Sequence, residues 1–273
     1  MSFLDHIRTC NHWEPSDFIP FNLDGHCVGR LRLSFAEHLR CWPEVFEVTG
    51  SRVTWVYPLP GFADRNQVLQ EVLAALDQDG LVTYLHGELY PVTSGDRTQA
   101  LMLIDRACAP YFRVCAFGQH LNGIVRDGDR LQMWVARRAA NRRVYPLHLD
   151  YLAAGGLPWG VTLKEPEQGV PRRSEYPRRA GGPGATGECG DILPGLGARP
   201  QAGRDVLYNL ELPPGFEPSC TDGEVKAFYL WPVEQVMETV RETDEFKLNC
   251  ILAFGSFTTV EAALRTSAYK VIS

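Results

Sequence analysis

The sequence predicts an α/β fold with a mixed sheet, preceded by a small α+β unit. Three observations predict it. Short strand-like runs alternate with two amphipathic helical stretches through residues 17–115. Three strands separated by turn residues then lead into Gly155-Gly156. Two more strands and a last amphipathic helix follow from Asp205. At 273 residues the chain holds one large or two modest domains, and the change of texture divides it into residues 1–115 and 116–273.

In order, FIPFNLDGHCVGRLRL reads as two strands around the Asp24-Gly25 turn, and SFAEHLRCWPEVF as a helix with Ser34 at its N-cap. RVTWVYPL is a strand. Asp64 to Asn66 cap the next helix, whose Val68, Val72, Leu73 and Leu76 recur at helical spacing and which Gly80 ends. LVTYLHGELYPV returns to strand pattern, and TQALMLIDRACAPYFRV is mixed. His120 opens a strand that turns at Asp127-Gly128 into LQMWVARR, and a third strand enters a tight Gly155-Gly156 turn. DVLYNLELPPGF and GEVKAFYLWPV are further strands, and VEQVMETVRET is the last clear helix.

Composition excludes several functions. A formal net charge of -6 and a pI near 5.7 give no electrostatic attraction to nucleic acid or an anionic membrane, and neither is expected as a partner. The first residues carry charges where a signal peptide needs an apolar run, and no run of about 18 apolar residues occurs, so an intracellular, cytoplasmic protein is expected. The 8 cysteines show no CxxC spacing, which suggests neither a zinc site nor a redox pair; most are expected to be small buried hydrophobes. His6, His12, His26 and His38 read as surface or packing residues, and Trp134, Tyr145, Phe228 and Trp231 as core rather than base-stacking platforms.

Six motifs then occur in order: HxNG (His120, Asn122, Gly123), WVARR (Trp134 to Arg138), YPxxxD (Tyr145, Pro146, Asp150), AGGLPxG (Ala154 to Gly160), YNLELPPGFEP (Tyr208 to Pro218) and DGEV (Asp222 to Val225). Together they resemble the Nudix hydrolases, in particular those with an N-terminal extension that are grouped by similarity with thiamin pyrophosphokinase. GHCVGRL, the helix ending in PEVF, and GELYPV are similar to that extension. The resemblance covers nearly the whole chain and weakens over the final 20 residues. It implies an α/β/α sandwich and a diphosphatase acting on a nucleoside-diphosphate-like or thiamin-diphosphate-like small molecule. Members include phosphatases of oxidised deoxyguanosine diphosphate (8-oxo-dGDP).

The chemistry of such a family rests on clustered carboxylates that hold Mg2+, or Mn2+ in its place, against a diphosphate, because hard oxygen ligands suit these ions. Counted from Gly155, the family's Arg-Glu-apolar-x-Glu-Glu run should occupy positions 169–174, where this chain has Gly169, Val170, Pro171, Arg172, Arg173 and Ser174. None is acidic. Position 161 of the general box is Val161 rather than Glu. Read one base later, PEQGVPRRSEYPRRA admits LSKECREEANIPEEL, a helical box whose Lys-Glu-Cys-Arg-Glu-Glu run falls at 168–173, within one position of the counted place. Residues 166–203 are therefore expected to be translated out of frame and to be disordered, since 15 of the 38 are Pro or Gly. The chain as written is expected to be inactive, with little left to hold a metal. A divergent Pro/Gly-rich insertion, and a non-catalytic remnant or binding module, are the alternatives.

Outside the box, the resemblance implies roles for single residues. Glu165 would open the box helix and join the metal ligands, though it equally reads as a solvated loop acid. Glu224 would approach the metal or the attacking water as a catalytic and metal-binding residue, or else is a charge on a half-exposed strand. Arg137, Arg138, Gly155 and Gly156 would meet the substrate's phosphates. Asp150 is expected to fix the Gly-Gly loop through backbone hydrogen bonds, with His120 and Asn122 structural or lining the substrate.

Overall fold

A computed structural model describes residues 14–58, 61–83, 85–161 and 204–250, together with Asp5 and residues 186–188. Strands β1 (Phe18–Leu23) and β2 (His26–Arg32) pair antiparallel around Asp24 and Gly25, whose φ values of 49° and 77° are those a tight two-residue hairpin demands. Helix α1 (Leu33–His38) follows, then β3 (Phe46–Val48) and β4 (Val53–Trp55), giving a sheet of order β2-β1-β4-β3 in which β4 runs parallel to β1. Helix α2 (Phe62–Gln78) buries Leu69, Val72, Leu73 and Leu76 against this sheet's core, one apolar stripe at helical spacing. Strands β5 (Leu89–Val92) and β6 (Met102–Asp105) form a separate ribbon, and the single turn α3 (Ala109–Phe112) closes the unit.

Two caps differ from expectation. Ser34 lies inside α1, whose N-cap is Arg32 with no side-chain bond. The second helix begins at Phe62, so Asp64 sits in its first turn. There a carboxylate favours the positive helix end without capping it. Of the six described cysteines, only Cys108 and Cys250 are buried, whereas Cys27 and Cys41 are exposed: short strands and turns leave those positions on the rim. Burial pushes the Cys108 thiol up to about 12.

The second sheet is built from β7 (Phe117–Asp127), β8 (Arg130–Arg138), β9 (Leu149–Asp150), β10 (Ala153–Gly156), β11 (Thr186–Glu188), β12 (Arg204–Leu212) and β13 (Val225–Pro232). Its order is β11-β12-β7-β8-β13, and β12 runs parallel to β7 while the other pairs are antiparallel. It is the mixed sheet the sequence predicts. β10 pairs with the first half of β7 and β9 with the end of β8. Helix α4 (Val233–Glu242) lays Val233, Val236 and Val240 on Ile124, Leu131, Met133 and Val135. The alternate residues Leu121 and Val125, with Tyr208, Leu210 and Leu212, form a second apolar layer on the other side. The helix expected after Gly-Gly, and Glu165 with it, lies outside the described residues. Within the stretch expected to be disordered, residues 186–188 pair with β12. Among the described residues no helix is long and apolar enough to cross a membrane.

Gly29 in β2 is where α3 meets the first sheet. A Cβ there would fall 2.4 Å from the Phe112 carbonyl oxygen and 3.2 Å from Val114 Cγ1. Backbone cannot swing away as a side-chain tip can, so Gly29→Ala is expected to cost about 1–3 kcal/mol by overpacking, read as a lower urea midpoint.

Candidate functional site

The Gly-Gly segment is not a turn. Gly155 and Gly156 are extended in β10, opposite Gln119 and Gly118 of β7, and the reversal comes later, at Trp159-Gly160, where Gly160 has φ 81°. Pairing with β7 keeps the glycines in line. What requires a glycine is the first unit: a Cβ on Gly156 would lie 1.8 Å from the Tyr90 hydroxyl of β5. The phenol therefore lies against the strand at the point where the resemblance would place phosphate.

The same loop is held from the same side by three further contacts. The Trp159 N–H donates to the Leu89 carbonyl at 2.7 Å, and the Trp159 ring lies 6.0 Å from that of Phe62. Arg97 donates through Nη2 to the carbonyls of Pro158, Val161 (2.7 Å) and Leu157 (3.4 Å). Burial lowers the pKa of this guanidinium, and the carbonyls it gathers belong to the segment that ends at Val161.

Glu224 precedes β13, its N–H donating to Asp222 Oδ1 at 2.9 Å and its carbonyl accepting from Ala139. Its Oε1 lies 2.8 Å from Arg142 Nη1 in a half-buried ion pair. Arg106, at the end of β6, bonds Glu88 at 2.7 Å. Burial works to lower the Arg106 pKa, but Tyr90, Glu88 and the Glu224 carboxylate outweigh it and hold it above its ordinary value. Glu224 therefore sits in the field of two guanidiniums, one from each half of the chain. Arg97, Arg106, Arg142 and Tyr90 were not singled out by the sequence reading, because their grouping depends on how the two sheets meet. The GELYPV motif, which contains Glu88 and Tyr90, was the available signal.

The other candidates hold the sheet. Arg138 is buried and its Nη1 meets the fully buried Asp150 at 2.9 Å; Nε and Nη2 donate to the carbonyls of Tyr145 and Val144. Asp150 also accepts from the Tyr151 N–H at 3.0 Å and the Cys250 thiol at 3.3 Å, so it anchors the 144–148 loop and the chain near 250. Beside that carboxylate, burial first and Asp150 second push the Cys250 thiol well above its ordinary pKa. Arg137 donates to Glu245 and the Leu147 carbonyl, both at 2.9 Å, on the α4 side. Burial alone would lower its pKa, but Glu245 and Tyr229 raise it. His120 is buried and stacks on Tyr151 at 4.5 Å, and Asn122 Nδ2 donates to Asn209 at 3.0 Å. Trp134 and Phe228 pack on one apolar layer and Trp231 on the other, while Tyr145 is half-buried outside both, at φ 51°.

A divalent ion needs several converging oxygens. Among the described residues no three His, Cys, Asp or Glu side chains come together, and Glu224 is already paired with Arg142. The described residues do not by themselves fit Mg2+ or Mn2+.

Comparison with known proteins agrees with the motif pattern. Residues 2–116 match a family described as a domain of unknown function, DUF4743. The chain is 34% identical over 274 residues to Nudix hydrolase 20, chloroplastic, of Arabidopsis thaliana, spanning 93% of this chain and 71% of that protein. It is 35% identical over 267 residues to Nudix hydrolase 24, chloroplastic, of the same plant, again over 93% and 71%. The crystal structure of DR0079 from Deinococcus radiodurans superposes with a TM-score of 0.44 at 15% identity, covering 67% of this chain and 98% of that one.

Four substitutions separate the parts of the site. Gly156→Ala is expected to destabilise by about 1–3 kcal/mol, and adding Tyr90→Phe to recover part of it, since the hydroxyl is the nearest atom. Arg138→Met leaves the buried Asp150 carboxylate to the more distant Lys247, 3.7 Å away, and is expected to cost about 3–5 kcal/mol, against under about 1 kcal/mol for Arg137→Met, both read by urea denaturation.

Proposed function

The chain belongs to the Nudix hydrolase family, and on that premise we propose that it is the scaffold of a divalent-metal-dependent diphosphatase whose catalytic box has been displaced. The single observation behind this reading is positional: Gly169 to Ser174 stand where the family's acidic run belongs, between motifs that remain in register on both sides. Residues 166–203 are read out of frame, residues 1–115 form the N-terminal extension and 116–273 the Nudix unit. The substrate is a nucleoside-diphosphate-like or thiamin-diphosphate-like small molecule, approached by Arg106 and Arg142 beside Glu224. With the box restored, carboxylates of its helix, with Glu165 and Glu224, would hold Mg2+, which neutralises diphosphate charge. As written, the chain hydrolyses nothing. The cytoplasmic setting belongs to this proposal; the two plant relatives are named as chloroplastic.

A second reading, a non-catalytic binding module, is favoured by the engagement of Glu224 with Arg142, which leaves that carboxylate paired within the chain rather than open toward a metal. Sequencing the transcript across codons 160–206 tests the frame directly. In parallel, the chain and a version carrying LSKECREEANIPEEL at 167–181, which sets its acidic run at 169–174, are assayed with thiamin diphosphate and 8-oxo-dGDP. Mg2+-dependent phosphate release is expected only from the replaced version, and a chelator is expected to abolish it. Turnover by the chain as written refutes the loss of function. A silent replaced version that still binds either diphosphate supports the second reading.

A further inference from the structure

After β10 the chain is held by the first unit rather than by its own sheet. The Leu157 N–H still donates to the Phe117 carbonyl of β7 at 2.9 Å. Beyond it the Trp159 N–H turns to the Leu89 carbonyl of β5, and the reversal at Trp159-Gly160 is closed from within by one long bond, the Val161 N–H to the Pro158 carbonyl at 3.3 Å. Arg97 stands across that reversal. Its Nη2 reaches the Leu157 and Pro158 carbonyls on the arm before the turn and the Val161 carbonyl on the arm after it, so one nitrogen clips both arms together.

The arginine is itself placed by the connection between β5 and β6. The buried Thr93 hydroxyl donates to the Asp96 carbonyl at 2.8 Å and accepts the Gly95 N–H at 3.1 Å, and the Thr98 N–H donates to Asp96 Oδ1 at 2.8 Å. Side-chain bonds to backbone of this kind fix a loop locally, before any partner arrives. Among the described residues no carboxylate pairs with Arg97, and its Nε is buried without a hydrogen bond. A guanidinium taken from water against carbonyls alone carries a desolvation cost that no opposite charge offsets. A neutral donor would avoid that cost, but it lacks the reach and charge to hold both arms at once. Stability by itself therefore does not account for an arginine here.

We propose that Arg97 is a positioning residue of the diphosphatase site, supplied by the first unit: by clipping the reversal it sets the direction in which the chain leaves Val161 toward the place of the acidic run. The inference rests on the diphosphatase reading. Arg97 acts through backbone, so turnover rather than substrate affinity carries its effect. Hydrogen exchange on the full chain as written tests the grip: R97Q is expected to speed exchange at the Trp159 and Val161 amides at least about tenfold while β1 and β2 keep their rates. In the version carrying LSKECREEANIPEEL at 167–181, R97Q is expected to lower kcat for the diphosphate that is turned over at least about tenfold, with KM changed less than about threefold. Gly29→Ala, which loosens the same unit without touching the turn, is expected to keep kcat within about twofold at a temperature where it is folded. Unchanged exchange at Trp159 and Val161 in R97Q, or a kcat loss no larger than that of Gly29→Ala, overturns the proposal alone. A version silent with Arg97 intact refutes the diphosphatase reading and the proposal with it.

Discussion

The buried pair of Arg138 and Asp150 is the contact on which the second sheet depends. Two charges removed from water are stable only when every remaining donor and acceptor is used, and here they are used on backbone, on the Cys250 thiol and on Lys247, 3.7 Å from Asp150. Arg138 collects the carbonyls of Val144 and Tyr145, while Asp150 takes the Tyr151 N–H and the Cys250 thiol. One ion pair thus joins the end of β8, the loop after it, β9 and the chain beyond α4. This explains why an arginine that resembles a phosphate ligand in sequence is spent on architecture. A buried guanidinium with its donors on carbonyls and a carboxylate has little left for a substrate.

The first unit is part of the site by contact. Tyr90 closes on Gly156, Leu89 and Arg97 bind the backbone of 157–161, and Arg106 lies in the field of Glu224. The loop that leads to position 162 is therefore shaped from outside its own sheet. A loop carries unsatisfied carbonyls unless something donates to them, and Arg97 supplies donors to three. The arrangement gives a physical reason for the extension to accompany the mixed sheet: without it the segment from Leu157 to Val161 loses four hydrogen bonds and an aromatic contact.

Strands and helices were largely legible because burial imposes period 2 or 3.6 on apolar residues, and β1, β2, β7, β8, β12, β13, α2 and α4 all carry that signature. Caps and turns were less so. Ser34 and Asp64 are good N-cap types, yet the apolar neighbours Leu33 and Phe62 draw the helix starts upstream. Gly155-Gly156 reads as a turn by composition, but nothing local reveals that β7 offers it a ladder of hydrogen bonds. Glu224 was legible as a candidate through DGEV, while its partner Arg142 belongs to a loop that carries no pattern.

By itself the sequence determined the family, the mixed sheet, and the absence of an acidic run at 169–174, because each is a matter of residue identity at fixed spacing. Tertiary structure alone decided that Arg138 is spent on Asp150 while Arg142 meets Glu224, and that a Cβ on Gly156 would run into Tyr90. Those outcomes depend on contacts between segments tens of residues apart, and a side chain's partner there is set by packing rather than by its neighbours in the chain.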